Sequence, residues 1–116
     1  MTQRLVGRAV EETGRIDAVV NNAGVFVWKP LEKLSEEEWD RVLETNLKAT
    51  YLLVHAALPE LKKSRGRILN VSSVHGTAGD AHVVAHCAAK FGLSGLTKAL
   101  ALALRPHGIS VNALCP

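Results

Sequence analysis

Three side chains suited to proton chemistry stand at fixed spacing in the second half of the chain: Ser73, His86 thirteen positions later, and Lys90 four positions after that. Ser73 follows the apolar run Ile68 to Val71, which reads as a buried strand, and residues 83–104 read as a helix. A strand-end hydroxyl therefore faces two residues that share one helix face. A hydroxyl can hold a substrate oxygen as donor or acceptor. An imidazole exchanges a proton near neutral pH, and a lysine cation beside it lowers its pKa and favours the neutral form. Further upstream, Asn21-Asn22-Ala23-Gly24 follows another apolar run, and Asn46 sits within a long helical stretch. Taken singly, each has a plainer reading: a serine ending a strand, a solvated helix lysine, a polar helix asparagine, a turn with no ligand. The ordered set is what points to a site.

The elements that would position these groups alternate in type. Leu5, Val6, Ala9 and Val10 recur at helical spacing over residues 3–13, with Gly14 as a helix C-terminal glycine. Ile16 to Val20 reads as a buried strand closed by the Asn-Asn-Ala-Gly turn. Lys29-Pro30 keeps the next segment out of a helix. Ser35 with Glu38 forms a capping box, and the acidic Glu36, Glu37 and Glu38 suit a helix N-terminus. A long helical stretch follows, carrying more apolar positions than one stripe holds, and Pro59 can kink it without ending it. In the helix over 83–104, Ala85, Ala88, Ala89, Gly92 and Gly95 permit close approach of a neighbouring backbone, while Leu96, Leu100 and Leu104 supply an apolar stripe. Pro106 and Gly108 end it, and Ile109 to Ala113 is a third strand. Strands alternating with long helices predict an α/β fold with a parallel sheet.

Length and composition narrow the function classes. With 116 residues, 47% of them hydrophobic and 22% charged, the chain suits one folded domain over residues 1–116 rather than two, or a disordered segment. The net charge of +3 is mild, and the clustered Lys62, Lys63, Arg65 and Arg67 read as a solvated helix end rather than a nucleic-acid surface. Cys87 and Cys115 lack metal-ligand spacing and read as small buried hydrophobes, and no metal site is expected, His82 falling at or before the helix that carries His86. No apolar stretch reads as long enough for a membrane span, and the amino terminus lacks a signal-peptide pattern, so a cytoplasmic setting without membrane attachment is expected.

The ordered set Asn-Asn-Ala-Gly, Asn46, Ser73 and Lys90, running from Gly14-Arg15-Ile16-Asp17 to Val111-Asn112-Ala113-Leu114-Cys115-Pro116, resembles the short-chain dehydrogenase/reductase family. The resemblance implies part of a Rossmann-like doubly wound sheet, with about three strands and long flanking helices. It implies hydride transfer between NAD or NADP and a small-molecule carbonyl or secondary alcohol. Asn46, Ser73, His86 and Lys90 would be catalytic: Ser73 on the substrate oxygen, Lys90 on the nicotinamide ribose and lowering the pKa of the acid/base, Asn46 breaking its helix locally and holding a water. Asn21, Ala23, Gly24, Lys90 and Pro116 would bind the cofactor. Family members pair subunits through the two long helices, which implies a homo-oligomer, with a non-catalytic interaction subunit or a truncated pseudoenzyme as the alternatives.

One position departs from the family. His86 stands where the family has a tyrosine, and its far nitrogen falls roughly 2 Å short of a phenol oxygen, while misplacements of about 1 Å can cost on the order of a hundredfold. Two readings follow, a position that has lost its function or a site reshaped around imidazole, and His86→Tyr separates them by raising or lowering turnover. The chain also shows no first strand and glycine-rich turn to cradle a pyrophosphate, matching the family from the helix before the fourth strand to the sixth strand. The 116-residue chain by itself is accordingly expected not to bind NAD or NADP measurably; calorimetric titration yielding a dissociation constant in the low micromolar range contradicts this.

Overall fold

The computed structural model describes residues 2–116. Its sequence of elements is α1 (Thr2–Thr13), β1 (Ala18–Asn21), α2 (Glu36–Leu43), α3 (Ala49–Ser64), β2 (Arg67–Val71), α4 (Val84–Leu104) and β3 (Ser110–Leu114). The three strands form one parallel sheet in the order β1-β2-β3, with Val19 beside Ile68 and Ile68 beside Val111. The α/β class is as the alternating pattern predicts. Strand bounds lie one or two residues later than the apolar runs at β1 and β3, because Ile16 and Ile109 pack into the core as residues leading into the strands.

Because side chains alternate across a strand, the sheet has two unlike faces. Val19, Ile68, Asn70 and Val111 are buried and share one face. The core there joins them to Val54, Ala57, Leu61, Leu104 and Ile109, with Val6 of α1 packed against it. On the alternate positions Val20 and Leu114 are 57% and 53% exposed, and Leu69 and Val71 are half-buried. The outer edge of β1 pairs with no strand among the described residues.

The long helical stretch after Ser35 is continuous but not uniform. Ser35 accepts from the Glu38 amide at 3.1 Å and the Glu38 carboxylate accepts from the Ser35 amide at 3.1 Å, which is the expected capping box. Lys29 also reaches Glu38 at 2.7 Å, and this ammonium, with the Ser35 backbone donor, holds the Glu38 carboxyl down at about 2. Between α2 and α3, residues Glu44–Lys48 widen into a π-turn. The cause is local: the Asn46 side-chain amide donates to the Val42 carbonyl at 2.9 Å, taking the acceptor that the Asn46 backbone N–H uses in an α-helix. Pro59 lies inside α3, which runs on to Ser64.

Three expectations are corrected. Cys115 is exposed and Cys87 half-buried, because Cys115 lies beyond the end of β3, past the core. In α4, Gly95 meets nothing within 4 Å and Ala88 is exposed, so the close-packed face is formed by Ala85, Ala89 and Gly92 instead. Val84–His107 is long and apolar enough to cross a membrane, with mean hydropathy 1.3 over its best window. Its packing explains the composition: Ala85, Ala89, Lys90, Leu93, Thr97 and Leu104 are buried, against the sheet and α2, so it is a core helix.

Exposed apolar groups on the open sheet face, together with Tyr51 and Leu52 on α3 and Phe91 and Leu102 on α4, form surface that water solvates poorly. The chain is therefore expected to self-associate at tens of micromolar, with Val20→Lys raising the monomer fraction. Light scattering that gives a single monomeric species for the unsubstituted chain contradicts this.

Candidate active site

In open parallel sheets the crevice beyond the strand carboxyl ends is where ligands collect, since the chain there leaves the sheet in loops rather than in packed strands. Ser73 lies just past β2, and the loop carrying Gly24 lies just past β1. With Asn22, Val25, Phe26, Asn46, His86 and Lys90 they line one cavity of about 220 Å³. Ser73, His86 and Lys90 are thus brought together as their spacing predicts, and Asn46 and Gly24, which the resemblance brought in, line the same cavity.

Each is held by a specific contact. Asn46, 1% exposed, donates through Nδ2 both to Val42 and, at 2.6 Å, to the Val25 carbonyl, so one amide fixes the π-turn and the loop that carries Gly24. Among the described residues its Oδ1 is buried without a partner, beside Gly24, where an added Cβ would lie 2.8 Å from that oxygen and 3.7 Å from Lys90 Nζ. Lys90 is 5% exposed and donates to the Val71 carbonyl at 3.2 Å. An ammonium carries three N–H donors, so the cavity side of Lys90 has capacity left. Burial lowers the Lys90 pKa, a trend that the charge of Cys115 opposes.

The Ser73 hydroxyl accepts from the His75 amide at 2.9 Å, which leaves its own proton free to donate. His86 sits with Nδ1 2.9 Å from His75 Nδ1 and packs edge-on to Phe26. Burial lowers its pKa, reinforced by the Lys90 charge and by His75. His75 in turn has Nε2 3.6 Å from an Asp80 carboxylate oxygen.

Other expected contacts lie elsewhere. Asn21 donates to Asn70 Oδ1 at 2.9 Å and, with Ala23, lines a separate, largely apolar hollow of about 340 Å³ beside Leu5, Val20 and Leu53. Pro116 is exposed and lines neither cavity. Sequence reasoning missed Asn70 and Thr97, which bond at 2.9 Å and lock α4 onto β2 across the core. An asparagine inside the apolar run Ile68 to Val71 was the available signal, since a buried amide demands partners. His75 and Asp80 were also missed, being loop residues with no periodicity to place them.

Because burial and the Lys90 cation both favour neutral imidazole, His86 is expected to titrate below the ordinary value of 6.5, and Lys90→Met to move it upward. The unfolded chain then takes up a proton before the folded one does. The His86 contribution to stability is consequently kept above pH 6.5 and lost as pH falls toward the folded pKa. Histidine NMR titration of both proteins checks this; a value at or above the ordinary one, or no movement on Lys90→Met, contradicts it.

Comparison with known proteins agrees with the geometry. Residues 1–116 match the family described as short chain dehydrogenase. The chain is 42% identical over 111 residues to the trans-4-hydroxycyclohexanecarboxylate dehydrogenase of Sinomonas cyclohexanicum, covering 96% of this chain and 43% of that protein. It is 37% identical over 113 residues to the D-beta-hydroxybutyrate dehydrogenase of Rhizobium meliloti (strain 1021), covering 97% of this chain and 44% of that one. It therefore spans under half the length of these relatives. The crystal structure of a metagenomic short-chain oxidoreductase in complex with NADP superposes with a TM-score of 0.93 at 37% identity, covering 99% of this chain and 53% of that one. Family match, sequence identity and shared fold agree, and the chain belongs to the short-chain dehydrogenase/reductase family.

Proposed function

We propose that residues 1–116 form the catalytic part of an NAD(P)-dependent oxidoreductase acting on a small secondary alcohol or its carbonyl product. The observation that carries this reading is the single cavity that Gly24, Asn46, Ser73, His86 and Lys90 line together. The residues fit a nicotinamide nucleotide: Gly24 leaves room that a side chain would fill, Lys90 has N–H donors to spare for a ribose diol, and Asn46 Oδ1 is an acceptor awaiting a donor. Gly24 and Lys90 would hold the nicotinamide ribose, with Asn21 and Ala23 toward the adenosine side. When bound, the nicotinamide supplies the hydride acceptor or donor at carbon.

The chain's own task is the oxygen and its proton. Ser73 donates its hydroxyl proton in a hydrogen bond to the substrate oxygen, a bond that strengthens as negative charge grows there. Neutral His86 accepts the hydroxyl proton as the alcohol becomes a carbonyl, and imidazolium returns it in the reverse direction. Lys90 and burial keep His86 neutral at rest, which favours the oxidative direction. Asn46, holding both the π-turn and the Val25 carbonyl, keeps the Gly24 loop against Lys90. A homo-oligomer associating through the exposed apolar groups of α3 and α4, in a cytoplasmic setting, belongs to the same reading.

The test is turnover by a protein in which residues 1–116 are joined to a glycine-rich dinucleotide-binding segment of the family, assayed with small secondary alcohols and NAD+ or NADP+. Ser73→Ala is expected to lower kcat/KM by about a hundredfold, and His86→Phe by about 10² to 10⁴. On this reading His86→Tyr should also lower it, because a phenol has no ring nitrogen to meet His75 Nδ1, which His86 Nδ1 reaches at 2.9 Å. Alcohol-dependent turnover that survives both Ser73→Ala and His86→Phe would falsify the assignment.

A further inference from the structure

The proton capacity of this site does not stop at His86. Its Nδ1 lies 2.9 Å from His75 Nδ1, the rings meeting edge to face at 89°. His75 Nε2 lies 3.6 Å from Asp80 Oδ2, and the other Asp80 oxygen accepts from the His82 amide at 3.0 Å. The backbone of His75 is itself fixed, since its N–H donates to Ser73 Oγ. Gly76, next in sequence, is packed so closely that a Cβ would lie 2.6 Å from Ser72 Oγ and 3.1 Å from Ser94 Oγ. These contacts join three titratable side chains in a row, from the cavity to Asp80.

Two nitrogens at 2.9 Å share one proton, so one histidine donates and the other accepts. If His75 Nδ1 were the donor, neutral His75 would turn a bare Nε2 lone pair toward the Asp80 carboxylate, and the two would repel. If His86 Nδ1 is the donor, His75 carries its proton on Nε2, facing the carboxylate, and the arrangement is attractive. The second arrangement wins. It leaves Nε2 as the unprotonated nitrogen of His86, on the ring that lines the cavity with Ser73 and Lys90, while His75 Nδ1 is taken up as the acceptor.

We infer that His75 and Asp80 are positioning residues that fix the tautomer of His86, so that its Nε2 is the base, and that they carry the accepted proton away from the cavity. This rests on the reading of His86 as the group that accepts the substrate proton. A proton taken up at Nε2 is matched by release of the Nδ1 proton to His75 Nδ1. The positive charge then rests on His75 beside Asp80, whose side chains are 24% and 31% exposed and so reach solvent. Charge moves away from the Lys90 ammonium, which opposes a cation on His86. The groups packed about His86 are Lys90 on its own helix, His75 with Asp80 behind it, and the uncharged Phe26. Cys87, also on α4, turns its thiol toward the Ala78 carbonyl instead.

Two-bond proton–nitrogen NMR of the 116-residue chain with labelled histidine reads the tautomer directly, with neither cofactor nor substrate present. This separates failure of the relay from failure of the catalytic reading, which turnover tests. Above the titration range, His86 is expected to carry its proton on Nδ1, against the ordinary preference of imidazole for Nε2. His75→Phe and Asp80→Asn should each return His86 toward the Nε2–H form. His75→Asn, whose amide oxygen can accept near the original Nδ1 position, should retain Nδ1–H. In a turnover-competent protein, Asp80→Asn should move the acid limb of the kcat profile while leaving KM in place. A His86 protonated on Nε2 in the unsubstituted chain, or an Nδ1–H form that persists in both His75→Phe and Asp80→Asn, overturns the inference.

Discussion

One side-chain amide holds the site to the fold. Asn46 Nδ2 donates to the Val42 carbonyl within its own helix and to the Val25 carbonyl in the loop after β1. The first bond displaces the helix ladder into a π-turn, and the second draws the loop onto that turn. Hydrogen bonds buried this deeply gain about 0.5–1.5 kcal/mol each in net terms, but leaving such a donor unpaired costs about 1–3 kcal/mol. The asymmetry makes both bonds obligatory once Asn46 is buried. Gly24, Val25 and Phe26 then have little freedom relative to α2, and the cavity wall opposite α4 is set by a contact that touches no substrate.

The opposite wall depends on α4 having one rotational setting. Asn70, 0% exposed, ties Thr97 of α4 to Asn21 of β1 through both ends of its amide, and Lys90 Nζ binds the end of β2 at Val71. Residues 86 and 90 project from the same face, so a helix anchored at 90 and 97 also presents His86. Lys90 is the costly member of this set. Burial works against its charge, and among the described residues one carbonyl, that of Val71, accepts from it, so its ammonium is incompletely compensated. Structures tolerate such a group where function uses the unmet capacity.

Much of this was legible in the residues and much was not. Element types followed from periodicity: alternating strand and helix patterns, a capping box at Ser35, and glycines with positive φ at Gly14 and Gly108. The grouping of Ser73, His86 and Lys90 followed from order and spacing, because a strand end and a helix face are geometrically predictable from sequence. What depended on side-chain direction was not predictable. Asn21 could be placed at a strand end but not aimed at Asn70, and Cys115 could not be seen to lie outside the core. His75 and Asp80 lie in a loop, where no period assigns a face, so their approach to His86 required coordinates.

The hydrogen bond from the His75 amide to Ser73 Oγ bears on how this chain can vary. It joins, across two residues, the hydroxyl that ends β2 and the imidazole that meets His86. Loops at strand ends ordinarily absorb insertions and deletions, because nothing depends on their length. Between Ser73 and Asp80 that latitude is lost: a residue added before His75 would carry it off the Ser73 hydroxyl, and one added after it would carry Asp80 off His75. The loop over residues 27–34 is held at its own points: the Lys29 amide donates to the His82 carbonyl at 2.9 Å, Trp28 stacks on the His82 ring, Val27 and Leu34 pack against Val42, Ala85 and Ala89, and Lys29 pairs with Glu38. Change over residues 73–80 should therefore be confined to residue identity, with the spacing of Ser73, His75 and Asp80 held fixed.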